Sequence, residues 1–210
     1  MTLSAQDAER LRACLAADGV AVIPTDTVYG LACNPESQAA LERIYELKGR
    51  AARKPAAVMF FALEPALEAL SGLGPGTRAA IAKLLPGPLT LLLADPSRSY
   101  PLASRAGPTA AGALGLRVPL LTGPLAALRA LSLPVAQSSA NLSGRPDACR
   151  LADVPESIRA GADVLLDAGE LPGVASTVLD LRDYEHSGAW SIVRCGPVGR
   201  VELEQTLGPT

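Results

Sequence analysis

The sequence predicts an α/β chain of the α+β kind, with one mixed parallel and antiparallel sheet flanked by helices, and three observations carry that expectation. Short apolar runs with strand character alternate with amphipathic helical stretches through the first part of the chain. Strand-like runs then cluster towards the end, which fits a mixed sheet better than a doubly wound one. With 210 residues and 49% hydrophobic content the chain can bury a proper core, and residues 1–210 are expected to form a single domain.

Ser4-Ala-Gln-Asp7 is a capping box with Asp in place of Glu, and Leu11 and Leu15 supply the apolar stripe of a first helix that stops by Gly19. Residues 20–23 form a short apolar strand closed by Pro24. The hydroxyl-rich stretch Thr25-Asp-Thr-Val-Tyr-Gly-Leu31 reads as a passage from strand to loop, open to two uses: a polar turn bonded to its own backbone, or a ligand-facing loop. Residues 37–48 follow as an amphipathic helix through Leu41, Ile44, Tyr45 and Leu47, and residues 56–62 as a buried strand.

Between that helix and that strand, Lys48, Arg50, Arg53 and Lys54 place four of the nineteen basic residues within seven positions. Cations also suit the C-terminal dipole of a helix, so a solvated helix end is one reading. Gly49 and Pro55 favour the other, a loop between helix and strand that holds an anion. On such a loop Lys48 and Arg50 would face solvent or ligand and contribute little to stability.

A short helix over residues 64–70 leads to Ser71-Gly-Leu-Gly-Pro-Gly76. This glycine cluster is no phosphate cradle: it follows a helix, lacks a Lys-Ser/Thr ending, and has Pro75 where an N–H is needed. A helix over 77–85 comes next, then a turn at Pro86-Gly-Pro88 that feeds a buried strand to Leu93. Residues 97–112 have little apolar periodicity and read as a loop, with Gly107, Pro108 and Gly112 as hinge points of a candidate lid. Gly115-Leu-Arg-Val-Pro119 is an apolar strand carrying one charge, so Arg117 must be paired, at a rim or facing a ligand.

Residues 124–131 read as a helix, and Pro134-Val-Ala-Gln-Ser-Ser-Ala-Asn-Leu-Ser-Gly144 as a strand running into a hydroxyl and amide cluster. If the strand continues, alternation puts Ser139 and Asn141 on one side, towards a ligand, and turns Ser138 the other way. Residues 163–169, 176–180 and 190–194 complete the late strands.

Composition narrows the function. A net charge of −2 and a pI near 5.5 oppose a surface that grips nucleic acid throughout, and leave room for a local basic cleft. Cys14, Cys33, Cys149 and Cys195 are scattered, with one histidine, His186, so a structural zinc site is not expected. That scatter, and residues 1–17 without a basic-then-apolar leader, fit a cytoplasmic protein with no membrane span. No Gly-x-x-x-x-Gly-Lys-Ser/Thr and no Gly-x-Ser-x-Gly occurs, which disfavours P-loop and triad chemistry. Cations, hydroxyls and one amide at predicted strand ends remain, a set able to bind a polyphosphate and a small zwitterion.

The succession Pro24-Thr-Asp-Thr-Val-Tyr-Gly-Leu31, Lys48-Gly-Arg50 with Lys54-Pro55, Pro86-Gly-Pro-Leu-Thr90, Gly115-Leu-Arg-Val-Pro119, Ser139-Ala-Asn-Leu-Ser-Gly144, Ser176-Thr-Val178 and Arg194-Cys-Gly196 resembles the YrdC-like threonylcarbamoyl-AMP synthases. The resemblance runs from about Gly19 to Pro197. It implies a twisted mixed sheet around a deep cationic cavity. It also implies an enzyme joining L-threonine, bicarbonate or CO2, and ATP into threonylcarbamoyl-adenylate with release of pyrophosphate, on the way to threonylcarbamoyladenosine in tRNA.

On the same resemblance, Lys48 and Arg50 would be catalytic, and Arg50, Lys54, Asn141 and Arg194 would hold ATP. Thr27, Arg117, Ser139 and Ser176 would hold threonine. No tightly bound cofactor and no protein metal site is implied, with Mg²⁺ arriving on the triphosphate. Partners would be the three substrates, with tRNA or downstream threonylcarbamoyl-transferase proteins beyond them. Met59, Ala113 and Cys149 depart from residues that some members carry, and no contact is carried over to them. Two other classes fit parts of the pattern: a nucleotide- or RNA-binding module without turnover, opposed by only 3% aromatic residues, and a related carbamoyl-transfer enzyme.

Overall fold

A computed structural model describes residues 1–49, 56–94, 99–103 and 113–209. Helix α1 is Ala5–Ala16, and its capping box forms as the sequence requires: Asp7 N–H donates to Ser4 Oγ, and Ser4 N–H donates to Asp7 Oδ2 at 2.9 Å. Strands β1 (Ala21–Ile23) and β2 (Gly30–Cys33) pair antiparallel, with Ile23 opposite Gly30. The hydroxyl stretch is therefore the link of a β-hairpin, and its end, expected as loop, is a buried strand. α2 (Gln38–Leu47) has Ser37 as N-cap, bonded to Ala40 N–H, and buries Leu41, Ile44 and Tyr45.

β3 is only Ala57–Met59, shorter than its apolar run, because the chain turns at Phe60 into α3 (Leu63–Ala69). α4 (Pro75–Leu84) begins with Gly74 as N-cap and Pro at the first helical position, where its missing N–H costs nothing. Gly74 has no side chain to cap with. Glu185, more than a hundred residues later, does this instead: Thr77 N–H donates to its Oε2 at 2.7 Å.

β4 (Leu89–Ala94), β5 (Ala113–Arg117) and β6 (Val135–Ser139) follow, with a helix between the last two at Gly123–Ala130 that is 3-10 rather than α. Beyond them come α5 (Glu156–Gly161), the two-residue β7 (Val164–Leu165), β8 (Thr177–Asp180), the short α6 (Tyr184–Ser187), β9 (Ser191–Arg194) and α7 (Arg200–Leu207). Among the described residues the sheet runs β7-β1-β2-β6-β3-β5-β4-β8-β9. The pairs β1–β7, β3–β5 and β4–β8 are parallel and the other five antiparallel, so the sheet is mixed as expected. No helix is long and apolar enough to cross a membrane, among the described residues.

Each face of the sheet has its own core. Val22, Leu31, Val58 and Leu91 point to one, under Ile44 and Tyr45 of α2 and Ile81 of α4. Ala21, Ile23, Met59 and Val135 point to the other, under Leu11 and Leu15 of α1 and Leu125 and Leu128 of the 3-10 helix. Strand alternation puts Ala57 on the face of Met59, and Gln137 on the face of Val135. The face packed under α1 thus continues along β3 and β6 into the cavity described next.

Candidate functional site: a cavity on the open sheet face

The cavity holds about 410 Å³ and is floored by small residues, Ala57, Ala113 and Gly115, with Thr90, Leu92 and Val178 beside them. Without bulky side chains on those strands the polar groups at its ends stand apart, leaving room for a ligand between them. Arg117, Arg182, Arg194, Asp147, Gln137, Ser138, Ser139 and Ser176 supply its polar lining.

Arg117 ends β5 with only 4% of its surface exposed. Its Nη2 donates to Asp26 Oδ1 at 3.0 Å and to Thr27 Oγ1 at 3.1 Å, while Nη1 reaches Gln137 Oε1 at 3.5 Å. Asp26 is itself fixed, since its Oδ2 accepts from Leu120 N–H at 2.9 Å. The pairing that burial demands of Arg117 is present, although Nε has no partner among the described residues. Burial pushes the guanidinium pKa below its ordinary value, an effect that neighbouring Asp26 opposes and Arg194 reinforces. Thr27 is fully buried behind Arg117, where its hydroxyl also meets Thr25 Oγ1 at 3.0 Å.

Across the cavity floor, Ser176 and Arg194 form a second group. Arg194 Nε and Nη2 donate to the Ser176 carbonyl at 3.1 and 2.9 Å, and Nη2 reaches Ser176 Oγ at 3.1 Å. Ser176 Oγ also lies 2.8 Å from Thr90 Oγ1. β8 and β9 bring these residues together, with Val178 opposite Arg194 in their register.

Lys48 is placed otherwise than expected. It is the C-cap of α2, 3% exposed, and its Nζ turns inward to the carbonyl of Ser139 and to the carbonyl and side-chain oxygens of Asn141, the latter two at 2.9 and 3.0 Å. A loop cation facing solvent or ligand is thus corrected to a buried clamp on the oxygens of Ser139 and Asn141. Asn141 turns to this clamp and away from the cavity: its Oδ1 also accepts from Ser139 Oγ at 2.6 Å, and its Nδ2 donates to the carbonyl of Arg145. Asn141 and Ser139 do meet, but β6 ends at Ser139 and alternation carries no further. Ser138 borders the cavity as well, contrary to the expectation that it turns away, because the cavity wraps round the end of β6 to reach Val28 and Asp147.

Arg50 and Lys54 lie outside the described residues, as does most of the candidate lid at 97–112. Of the departing positions, Met59 is core, Ala113 borders the cavity, and the Cys149 thiol donates to Asp153 Oδ2 at 3.3 Å, which pushes its pKa up. Sequence reasoning gave no ligand-site role to Thr90, Gln137 or Arg182, and offered Asp26 only as a turn residue bonded to local backbone. For Gln137 a signal existed: it stands two residues before Ser139, on the same side of a strand.

A mixed sheet with one face opening into a cavity lined by arginines and strand-end hydroxyls defines an α/β protein. The family model for Sua5, YciO and YrdC, described as "Telomere recombination", matches residues 13–196, and the chain belongs to this family. It is 33% identical to the threonylcarbamoyl-AMP synthase of Bacillus subtilis over 201 residues, covering 94% of this chain and 55% of the relative. With the threonylcarbamoyl-AMP synthase of Chromohalobacter salexigens it shares 37% identity over 167 residues, 77% of this chain and 85% of that one. The structure of Pyrococcus abyssi Sua5 complexed with L-threonine is similar with a TM-score of 0.83 at 28% identity, over 99% of this chain and 59% of that one. The chain spans about half the length of its Bacillus subtilis and Pyrococcus abyssi relatives, 55% and 52%.

Proposed function

We propose that this chain forms threonylcarbamoyl-adenylate and pyrophosphate from L-threonine, bicarbonate or CO2, and ATP, as a step in threonylcarbamoyladenosine modification of tRNA. The observation that carries the reading is the cavity itself. One end holds a buried arginine fixed by Asp26 and Thr27, the other an arginine fixed by Ser176, in a family whose members include enzymes named for this reaction.

In this reading the carboxylate of threonine pairs with Arg117, and Thr27 acts from behind by holding that guanidinium. Ser176 and Arg194 lie where the nucleotide would join the amino acid. The carbamate oxygen must approach the α-phosphorus against its negative charge, and fixed positive charge makes that approach tolerable. Lys48 serves by clamping the turn at Ser139 and Asn141, and Arg50 and Lys54 supply charge to the phosphates. Among the described residues no three His, Cys, Asp or Glu side chains gather as a metal-ligand set, and Mg²⁺ in this reading comes with the triphosphate. Downstream transferases and tRNA would receive the product.

The decisive assay is pyrophosphate release from ATP and bicarbonate, with and without L-threonine. Threonine-dependent release supports the reaction. Release without threonine, or none with it, refutes it.

A further inference from the structure

The side-chain amide of Gln137 is among the polar groups of the cavity that have no task in the reaction as described so far. It rises from the middle of β6, 4% exposed, and makes a single hydrogen bond among the described residues, the long one in which Oε1 accepts from Arg117 Nη1 at 3.5 Å. Because the guanidinium is only a donor, this contact identifies the amide end beside it as the oxygen. Nε2 lies at the other end, with both N–H groups unused among the described residues.

Gly30 makes room for this arrangement. A Cβ built there would stand 2.3 Å from Gln137 Nε2 and 3.3 Å from its Cδ. The amide nitrogen therefore lies over the bare backbone of β2.

The donors and acceptors at this end of the cavity are sorted by polarity. Arg117 and Gln137 Nε2 offer only N–H groups. The acceptors that face Arg117 are engaged: both Asp26 oxygens, by Arg117 and by Leu120 N–H, and Thr27 Oγ1 by Arg117. Ser139, on the same face two residues along β6, has the opposite character. Its hydroxyl proton goes to Asn141 Oδ1 at 2.6 Å, an oxygen identified by the Lys48 ammonium that also donates to it. What Ser139 presents to a ligand is therefore lone pairs.

An α-amino acid fits this sorting in one orientation, with its unprotonated carboxylate oxygens at Arg117 and Gln137 and its amino group at Ser139. We propose that Gln137 is a specificity-determining residue that donates from Nε2 to the carboxylate of the amino-acid substrate beside Arg117, an inference that rests on the threonine reading above. Ser139 then accepts from the amino group.

The test is steady-state pyrophosphate release by the full chain, with threonine and ATP varied separately, in the wild type, Gln137→Met and Gln137→Glu. Gln137→Met should raise the threonine KM about ten- to a hundredfold, the loss expected for one hydrogen bond to a charged group, with the ATP KM changed by less than about threefold. Gln137→Glu should raise it further, since it sets an anion against the carboxylate. A threonine KM within about twofold of wild type in both variants, or an ATP KM rising in step, overturns the proposal.

A second measurement needs no active or stable variant. The side-chain ¹⁵N–¹H signals of Gln137 should shift when L-threonine is added to the wild type and stay in place with L-threoninamide; signals unmoved by saturating threonine overturn the proposal. Failure of the reaction itself would appear separately, as a wild type without threonine-dependent release.

Discussion

Lys48 Nζ lies 3.0 Å from Asn141 Oδ1 and 2.9 Å from the Asn141 carbonyl oxygen, so the residue that ends α2 holds the turn that follows β6. The backbone closes the same joint, with Ser143 N–H donating to the Lys48 carbonyl at 3.0 Å. Lys48→Ala should therefore destabilise the chain by about 2 to 4 kcal/mol, since it removes a charged donor and strands buried acceptors. Urea denaturation checks this, and an unchanged midpoint would return Lys48 to the role of a ligand-facing cation.

Asp26 neutralises Arg117 in a place where their side chains are only 8% and 5% exposed. Breaking a buried pair costs about 3 to 5 kcal/mol, because the surviving charge is left alone in a poor solvent. Asp26→Asn keeps an acceptor and should fall at the lower end. Saturating L-threonine should raise the melting temperature of this variant more than that of the wild type, its carboxylate standing in as counter-ion. An equal rise in both would separate Asp26 from the ligand.

Gly30→Ala tests the bed on which Gln137 lies. The new methyl would meet the amide and stand 3.2 Å from the Ser138 carbonyl, so the side chain must leave its position. A threonine KM raised about tenfold or more is expected, in parallel with Gln137→Met. Combining the two substitutions should add little to either alone. Full additivity would show that Gly30 acts elsewhere.

Glu185 should leave a mark on the acid side of the stability curve. Its bond from Thr77 N–H holds its carboxyl pKa below the ordinary 4.5, with Gly76 N–H and His186 helping. A depressed folded value means that the contribution is complete above about 4.5 and is lost as pH falls through the lower folded value. The stability gap between wild type and Glu185→Gln should accordingly be constant near neutrality and shrink below pH 4.5. A gap independent of pH down to the acid transition would exclude the cap.

The capping box at Ser4 and Asp7, the helix of Ile44 and Tyr45, and the late strands were legible because each is written in adjacent residues. β2 was not. Gly30-Leu-Ala-Cys33 is buried on both faces and shows no alternation, while the hydroxyls before it signal a turn. Within the site, Arg117 could be read as paired from its place in an apolar strand, but its partner, Asp26, is 91 residues away and nothing local points to it. The inward turn of Lys48 was hidden for the same reason: a cluster of cations looks like a surface until the carbonyls that need one of them are brought alongside by another strand.

The order of the strands also has a meaning in time. A ribosome delivers β1 to β6 first, and these carry Arg117, Gln137 and Ser139, yet β4 waits for β8 and β9 to bring Ser176 and Arg194 to its side. β1 likewise waits for β7. A nascent chain stalled before residue 176 lacks Ser176 and Arg194, the residues of the far wall. Its capacity to hold a ligand across both ends arises only once β9 has emerged, so the small molecule meets an assembled cavity rather than a template on which that cavity folds.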